Sequence, residues 1–169
     1  MKNSEILKRC KKIKLVISDV DGVLTDGSMY YSEKGEQLKQ FHTRDGMAVE
    51  LLLQKNIPTI IITREKSKIV LARAKKIKIK KVYSGIMQKE LLLPEISKIF
   101  NINKNEIAYI GDDINDEKIM KLVGLSVSPH DGVLHIKKIA NLVTSVPGGK
   151  GVLRELADMI ILSQSIKSS

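Results

Sequence analysis

Two aspartates that follow an apolar segment near the start of the chain are the first residues whose types and spacing suggest chemistry. Asp19 and Asp21 come directly after Lys14–Ser18, which has the pattern of a buried strand, and Gly22 follows them. Side chains two residues apart along a strand point to the same side, so both carboxylates can face one region. Buried charges need a partner, and ligands of open α/β sheets bind at the carboxyl ends of strands. We therefore predict a cation site at this position.

A second acidic group has the same setting later in the chain. Asp112, Asp113 and Asp116 follow the apolar segment Glu106–Ile110, and Gly111 allows a tight exit from it. If the two strands are neighbours, both groups of carboxylates meet in one crevice. Oxygen ligands without nearby histidine or cysteine favour Mg²⁺ over zinc. The sequence therefore predicts a Mg²⁺ cofactor.

Two further polar residues are placed where they could bind phosphate. Thr63 ends a strand-like segment, and Lys89 begins a helical pattern. A phosphate monoester needs cations to offset its charge and neutral donors to orient its oxygens. Either residue alone is more often a cap or solvated surface. In this order with the two acidic groups, both are expected to bind phosphoryl oxygens.

Together these residues predict hydrolysis of a phosphomonoester through a covalent intermediate. Asp19 is expected to attack phosphorus and form an aspartyl-phosphate. Asp21 is expected to protonate the leaving alcohol and then to activate water. The predicted metal ligands are the Asp19 and Asp112 carboxylates and the Asp21 backbone carbonyl, with Asp113 and Asp116 positioning either the surroundings of the metal or Lys89. A phosphotransferase or a phosphonate hydrolase could use the same acidic cluster.

The remaining sequence alternates strand-like apolar runs with helical patterns. The predicted strands span residues 14–18, 57–62, 81–84, 106–110, 125–127 and 141–143. The predicted helices span residues 44–55, 67–76, 89–100, 117–123 and 151–162. This alternation implies right-handed crossovers and a parallel sheet with helices on both faces. The predicted fold class is α/β, with a Rossmann-like sheet in a single domain over residues 1–169.

Residues 27–41 interrupt the alternation and have the pattern of a hairpin. Two short alternating runs flank Ser32–Gly35, where Gly35 can supply the positive φ of a hairpin turn. The apolar side chains on this segment are Met29, Tyr30, Tyr31, Leu38 and Phe41. They are expected either to contact other subunits or to fold onto their own domain.

Composition and charge exclude several classes of protein. No apolar run approaches the roughly 20 residues needed to cross a bilayer, and the N-terminus lacks a signal-peptide core, so a cytoplasmic protein is expected. The single cysteine, Cys10, excludes an internal disulfide. The formal net charge is +10, but the lysines are dispersed and aromatic residues make up only 4%. These features favour an anionic small-molecule substrate over nucleic acid.

The motifs resemble those of the haloacid dehalogenase (HAD) superfamily. The segment 19–26 is similar to the first motif of that superfamily, Thr63 to its second, Lys89 to its third and the segment 111–116 to its fourth. The resemblance covers nearly the whole chain and implies the HAD fold and a Mg²⁺-dependent phosphatase. Many members carry a cap domain. Here only the hairpin is present, which implies a capless member with a small β-hairpin flap.

Three more segments resemble the 3-deoxy-D-manno-octulosonate 8-phosphate phosphatase group and its relatives that act on nonulosonate (sialic-acid-type) 9-phosphates. These segments are residues 22–27, 41–46 and 148–155. The resemblance implies a sugar-acid phosphate substrate and a homotetramer in which a neighbouring subunit completes the active site. It also implies that Thr43, Arg44 and Asp45 line the substrate entrance and that residues 148–151 help to close it.

The turn after the second motif departs from the octulosonate group, which usually has Thr-Gly-Arg there. This chain has Thr63, Arg64 and Glu65. Glu65 together with Lys76 is more similar to the 9-phosphate phosphatases, which favours a nine-carbon substrate bound by Arg64, Glu65 and Lys76. Glu65 could instead simply stabilise the start of its helix. The alternative function is a non-catalytic HAD-like oligomerisation or regulatory partner of a sialic acid cytidylyltransferase, although the presence of Asp19 and the other motif residues argues against it.

Overall fold

The computed structural model describes residues 3–165 and is built around a parallel sheet of six strands in the order β5-β4-β1-β6-β7-β8. The strands of this sheet are β1 (Leu15–Ser18), β4 (Thr59–Thr63), β5 (Lys81–Ser84), β6 (Ile107–Ile110), β7 (Leu125–Ser128) and β8 (Leu142–Val143). Every neighbouring pair in the sheet is parallel. The chain therefore crosses over the sheet between strands, as the alternating pattern predicted.

Among residues 3–165, seven α-helices cover the two faces of this sheet. They are α1 (Asn3–Cys10), α2 (Thr43–Gln54), α3 (Lys68–Lys76), α4 (Leu93–Phe100), α5 (Glu117–Met120), α6 (Leu134–Ile139) and α7 (Val152–Ser165). Val16 on β1 belongs to the cluster of α1, α2, α3 and α7. Leu15 and Ile17 belong to the opposite cluster, with α4, α5 and α6. Alternate residues of β1 thus serve opposite cores, as the two-residue repeat of a strand requires. The predicted α/β class is confirmed.

The central strand carries the turning point of the topology. β1 pairs with β4 on one side and with β6 on the other, so that Ser18 lies opposite Ile61 and Ile110. The chain adds strands on one side of β1 and later on the other, and this change of direction leaves a crevice beyond the carboxyl ends of the strands. This arrangement brings the residues after β1, β4 and β6 together.

A two-stranded antiparallel hairpin projects from the segment 27–41. Its strands are β2 (Tyr30–Ser32) and β3 (Gly35–Leu38), and Gly35 has a φ of +95°. Tyr30, Tyr31 and Leu38 are 50–63% exposed, whereas Phe41 at the base packs against the core beneath α2. Each expectation for this segment therefore applies to a different part of it. The base folds onto its own domain, and the rest of the hairpin is exposed.

Several element bounds differ from the sequence-based predictions. α1 and α6 were not predicted, because each is short and buries few residues. The helix predicted for residues 117–123 ends at Met120. The helix predicted for residues 89–100 begins as a 3₁₀ turn over Lys89–Leu92, and the α-helix starts one residue before Pro94, because proline is favoured in a first turn. Among residues 3–165, no helix combines the length and apolar character needed to cross a bilayer.

Candidate active site

Three aspartates meet at the carboxyl ends of β1 and β6. Asp19 follows β1 directly, and its backbone N–H donates to the carbonyl of Ile110 at 3.0 Å, which fixes it beside β6. Asp112 and Asp116 follow β6. One carboxylate oxygen from each of the three aspartates lies within 4.8 Å of the others. The two acidic groups of the sequence therefore form one cluster.

Lys89 is the cation beneath this cluster. Its side chain is fully buried, and Nζ donates to Asp116 Oδ1 at 2.6 Å and to the hydroxyl of Tyr109 at 3.1 Å. Nζ also donates to Asp19 Oδ2. Burial alone would lower the pKa of Lys89, but the charges of Asp19 and Asp116 outweigh burial and raise that pKa above its ordinary value. Lys89 is therefore a fixed positive charge in contact with Asp19.

Asp116 has its hydrogen-bonding capacity taken up by the protein. The Tyr109 hydroxyl donates to Oδ1 at 2.5 Å, and the backbone N–H groups of Asp112 and Asp113 donate to Oδ2 at 3.0 and 3.4 Å. The Asp113 side chain accepts from the N–H of Ile114 at 2.7 Å and caps the short 3₁₀ turn that follows. Asp113 and Asp116 therefore shape the loop that presents Asp112.

The crowding of carboxylates changes their affinity for protons. Burial, together with the negative charge of Asp116, raises the pKa of Asp19 from 3.8 to about 6, even though Lys89 pulls it down. Burial and the charges of Asp116 and Asp19 raise the pKa of Asp112 to about 8. The single ammonium of Lys89 does not balance three carboxylates. A site with this excess of buried negative charge has a high affinity for a cation.

The donor set fits a magnesium ion. The three clustered side chains are all carboxylates, which are hard oxygen donors of the kind that Mg²⁺ prefers. Because Asp116 is committed to Lys89, Tyr109 and the backbone, the carboxylates of Asp19 and Asp112 are the two best placed to hold the metal.

Asp21 is held by a residue that the sequence did not single out. Lys39, at the base of the hairpin, places Nζ 2.6 Å from Asp21 Oδ1 and 2.8 Å from Glu36 Oε1. Burial would lower the pKa of Lys39, but hydrogen bonds to Asp21 and Glu36 raise it above its ordinary value. The Thr25 hydroxyl also donates to Asp21 Oδ1, at 3.2 Å. Asp21 therefore stands beside the cluster, in a separate set of contacts.

A crevice of 250 Å³ opens above these groups. Its lining comes from the segment after β1, the end of β4 with the two residues that follow it, and the loop after β6. The lining residues are Asp19, Asp21, Gly22, Gly27, Met29, Thr63, Arg64, Glu65, Asp112, Asp113 and Asn115. Thr63 is buried and its hydroxyl accepts from the N–H of Glu65 at 3.3 Å, while Arg64 and Glu65 are exposed at the rim. The structure thus brings Arg64 and Glu65 to the acidic cluster.

Three other expected substrate residues lie elsewhere on the chain. Thr43 and Arg44 are exposed at the start of α2, and Arg44 lines a separate depression of 330 Å³. Asp45 is only 2% exposed; its Oδ1 accepts from the backbone N–H of Arg154 at 3.3 Å, and burial raises its pKa to about 6. The expectation that Asp45 lines the entrance is therefore corrected. It caps the start of α7, because α2 and α7 pack together.

Two other regions were expected to contact the substrate, namely Lys76 and the glycine-rich segment of residues 148–151. Lys76 is the last residue of α3, about 12 Å along the helix from the end nearest Thr63, so a single chain does not bring it to the acidic cluster. Gly149 donates to the carbonyl of Val23 at 2.9 Å, and a side chain at Gly148 would collide with the carbonyl of Gly22. Residues 148–151 therefore support the loop after β1.

Sequence reasoning missed two residues that contact aspartates of the site, Tyr109 and Lys39. Tyr109 lies inside an apolar strand, and its buried hydroxyl had no sequence signal other than being a tyrosine in a core segment. Lys39 lies at the end of an alternating polar run that is typical of a solvated hairpin. Its burial depends on a long-range contact with Asp21, which no local pattern encodes.

The chain belongs to the haloacid dehalogenase-like hydrolase family, which matches residues 5–156. It is 37% identical over 160 residues to the 3-deoxy-D-manno-octulosonate 8-phosphate phosphatase of Yersinia pestis, covering 95% of this chain and 86% of that enzyme. The corresponding enzyme of Escherichia coli strain K12 is 36% identical over 162 residues, with 96% and 86% coverage. This chain is a phosphoric monoester hydrolase.

Solved structures agree with this assignment. The crystal structure of the Yersinia pestis phosphatase superposes with a TM-score of 0.93 at 37% identity, covering 95% of this chain and 87% of that one. The 3-deoxy-D-manno-octulosonate 8-phosphate phosphatase of Moraxella catarrhalis was solved in complex with a magnesium ion, a phosphate ion and KDO (3-deoxy-D-manno-octulosonate). It superposes with a TM-score of 0.93 at 34% identity, covering 96% of this chain and 94% of that one. The resemblance to the HAD superfamily, the fold and the Mg²⁺ cofactor expected from the sequence are confirmed.

Proposed function

We propose that this protein is a Mg²⁺-dependent phosphatase that removes the terminal phosphate of a 2-keto-3-deoxy sugar acid. The observation that carries the proposal is the contact of Asp19 with the buried ammonium of Lys89, in a cluster of carboxylates that opens to a crevice. An enzyme that attacks a phosphate dianion with a carboxylate needs positive charge at this point. Lys89 supplies one such charge, and a bound metal supplies more.

Asp19 is the proposed nucleophile. Its backbone is fixed to β6, and its Oδ1 accepts from the N–H of Val20 at 2.7 Å. A nucleophile held on a strand end keeps its orientation at little entropic cost. When bound to Asp19 and Asp112, Mg²⁺ would offset the negative charge of the phosphoryl oxygens. Attack by the Asp19 carboxylate then forms an aspartyl-phosphate as the bond to the leaving oxygen breaks.

The remaining groups have distinct proposed roles. Asp21 gives a proton to the leaving alcohol and later takes one from the water that hydrolyses the aspartyl-phosphate. The Thr63 hydroxyl, buried in the lining of the crevice, is a donor for a phosphoryl oxygen. Lys89 stabilises the ionised form of Asp19 and the charge that develops during transfer, while Asp113 and Asp116 hold the loop of Asp112.

The relatives favour an eight-carbon substrate. The Yersinia pestis and Escherichia coli enzymes are 3-deoxy-D-manno-octulosonate 8-phosphate phosphatases, and the Moraxella catarrhalis structure contains KDO. We therefore put the eight-carbon sugar acid 8-phosphate first. Arg64 at the rim is placed to meet the sugar carboxylate.

One observation favours a nine-carbon substrate as the second candidate. Glu65 lines the crevice next to Arg64, and its carboxylate is placed to accept hydrogen bonds from hydroxyl or amide groups. A longer, more hydroxylated sialic-acid-type 9-phosphate could use such an acceptor.

Phosphate release from both substrates tests the function. The purified chain is incubated with 3-deoxy-D-manno-octulosonate 8-phosphate and with neuraminate 9-phosphate, each with Mg²⁺ and with EDTA. We expect release that depends on Mg²⁺, with kcat/KM higher for 3-deoxy-D-manno-octulosonate 8-phosphate than for neuraminate 9-phosphate. A folded protein that releases phosphate from neither would refute the substrate class and would favour a non-catalytic partner of a cytidylyltransferase.

The exposed hairpin tip supports an assembly in which a second copy completes the site. Met29, Tyr30, Tyr31 and Leu38 are exposed apolar side chains of this segment, and Met29 also lines the crevice; exposed apolar patches often mark interfaces. We propose a homotetramer, in which Arg44 or Lys76 of a neighbouring copy could reach the substrate. Light scattering of the active protein tests this proposal. A stable monomer with full activity on the sugar-acid phosphate would contradict it.

A further inference from the structure

Lys39 joins the hairpin to the active site through contacts with two carboxylates. Its side chain has no exposed surface, and its Nζ lies between Asp21 Oδ1 at 2.6 Å and Glu36 Oε1 at 2.8 Å. A lysine rarely loses all contact with water unless it is paired. Here both partners are carboxylates, and one of them belongs to the catalytic loop after β1.

The other end of this network is anchored on helix α3. Glu36 Oε2 accepts a hydrogen bond from the Ser67 hydroxyl. The same Ser67 oxygen accepts from the N–H of Val70 at 3.3 Å and so caps the helix. The hairpin is therefore held at two points, by Ser67 and by Asp21. Asp21 lines the crevice that also contains Thr63, Arg64 and Glu65, and Ser67 follows Glu65 by two residues in the chain.

The two oxygens of Asp21 have different surroundings. Oδ1 accepts from Lys39 Nζ and from the Thr25 hydroxyl. Oδ2 is buried and has no hydrogen-bond partner among residues 3–165. With Oδ1 held from two directions, the orientation of the Asp21 carboxylate in the lining of the crevice is fixed.

We propose that Lys39 is a positioning residue that orients Asp21 for proton transfer, and that Glu36 and Ser67 in turn hold Lys39 in place. This inference rests on the proposed function, because it assumes that Asp21 protonates the leaving group. Through Lys39 and Glu36, the hairpin then contributes to the geometry of the active site in addition to presenting an exposed surface. Without Lys39, the carboxylates of Asp21 and Glu36 would repel each other, and Asp21 would leave its orientation.

Leaving-group dependence separates positioning of a general acid from a general structural role. An alkyl phosphate needs its leaving oxygen protonated, whereas p-nitrophenyl phosphate does not, because p-nitrophenolate leaves readily without a proton. The alkyl phosphate used here is 3-deoxy-D-manno-octulosonate 8-phosphate. For Lys39→Met we expect kcat/KM with this alkyl phosphate to fall about 100-fold. With p-nitrophenyl phosphate we expect kcat/KM to fall by less than about threefold. Lys34→Met, an exposed lysine of the same hairpin, is the matched control and should lower neither value.

The double variant and a milder variant complete the test. Asp21→Asn should show the same leaving-group selectivity, and Lys39→Met should add little to it, since the two residues act as one unit. If Lys39→Met does not fold, Glu36→Gln should give a smaller loss that is still selective for the alkyl phosphate. Equal losses with both substrates, or full additivity with Asp21→Asn, would overturn the inference. A wild-type protein inactive on both phosphates with Mg²⁺ would instead refute the proposed function.

Discussion

Lys89 and Asp116 form the innermost ion pair of the protein's active site, with Nζ and Oδ1 2.6 Å apart and neither side chain exposed to solvent. The same Nζ contacts Asp19. The pair therefore connects the loop after β6 to the residue after β1, beneath the crevice. Because a buried charge is tolerated only with its partner, the two sides of the active site depend on each other for stability as well as for chemistry.

Replacing Lys89 tests this dependence. Lys89→Met leaves Asp19 and Asp116 buried without their cation, and we expect it to lower the free energy of unfolding by about 3–5 kcal/mol at neutral pH. Urea denaturation followed by circular dichroism measures the change. Lys121→Met, which removes an exposed lysine paired with Glu117, should cost less than about 1 kcal/mol. If the two variants lowered the free energy of unfolding by similar amounts, the buried Lys89–Asp116 pair would not be a larger contributor to stability than an exposed pair.

The raised pKa values of Asp19 and Asp112 predict how pH affects the metal-free protein. Their pKa values rise from 3.8 to about 6 and about 8 on folding, so between these limits the folded state binds more protons than the unfolded state. Their contribution to stability therefore falls as pH rises from about 4 to about 8. A bound Mg²⁺ should reverse this effect by offsetting the charge.

Thermal unfolding in EDTA and in Mg²⁺ measures that reversal. We expect Mg²⁺ to raise the Tm much more at about pH 8.5 than at about pH 5, where protons compete for the carboxylates. Asp112→Asn should remove most of the Mg²⁺ effect and should flatten the pH dependence in EDTA. A Tm increase of the same size at both pH values would contradict the prediction.

Gly22 gives a steric test of the metal site. It has a φ of +76°, and a Cβ atom there would collide with the carboxylate of Asp112. We expect Gly22→Ala to weaken Mg²⁺ binding about 10- to 100-fold by displacing this ligand. Gly35 is the matched control, because it also has a positive φ, of +95°, but nothing lies within 4 Å of its Cβ position. Both variants should lose roughly 1–2 kcal/mol to backbone strain, and titration calorimetry should find weaker metal binding only for Gly22→Ala.

Glu65 is the residue most able to decide between the two substrates. Glu65→Arg should raise the ratio of kcat/KM for the eight-carbon over the nine-carbon substrate by about tenfold, because it removes the acceptor that the additional hydroxyl or amide groups of the nine-carbon substrate would use. The same charge reversal at Glu50, an exposed residue of α2, should leave the ratio unchanged. An unchanged ratio in Glu65→Arg would remove Glu65 from substrate selection.

The parts of the site that the sequence predicted share one physical origin. Asp19, Thr63 and Asp112 follow strands whose apolar runs are clear in the sequence, and parallel strands bring their carboxyl ends to one edge. Lys89 was also found, because its place in the motif order was informative. The strands themselves were predicted to within two residues at either end, since buried parallel strands have near-continuous apolar runs.

The parts that the sequence did not predict depend on contacts between distant elements. Lys39 is buried only because the hairpin folds back onto the loop of Asp21, and Asp45 is buried only because α7 packs on α2. A charged residue on an exposed pattern carries no mark of the partner that will cover it. Lys76 was assigned to the site from a resemblance between chains, and helix geometry places it at the far end of α3 within one subunit.

The central claim is that Asp19 carries the phosphoryl group during the reaction. Asp21→Asn should form the aspartyl-phosphate from p-nitrophenyl phosphate and Mg²⁺ but hydrolyse it slowly, because the base that activates water is gone. Mass spectrometry of acid-quenched protein should then locate one phosphoryl group on the peptide that contains Asp19, and no such group when Asp19→Asn is added. A phosphoryl group on another residue, or wild-type phosphate release that persists undiminished in Asp19→Asn, would contradict the account.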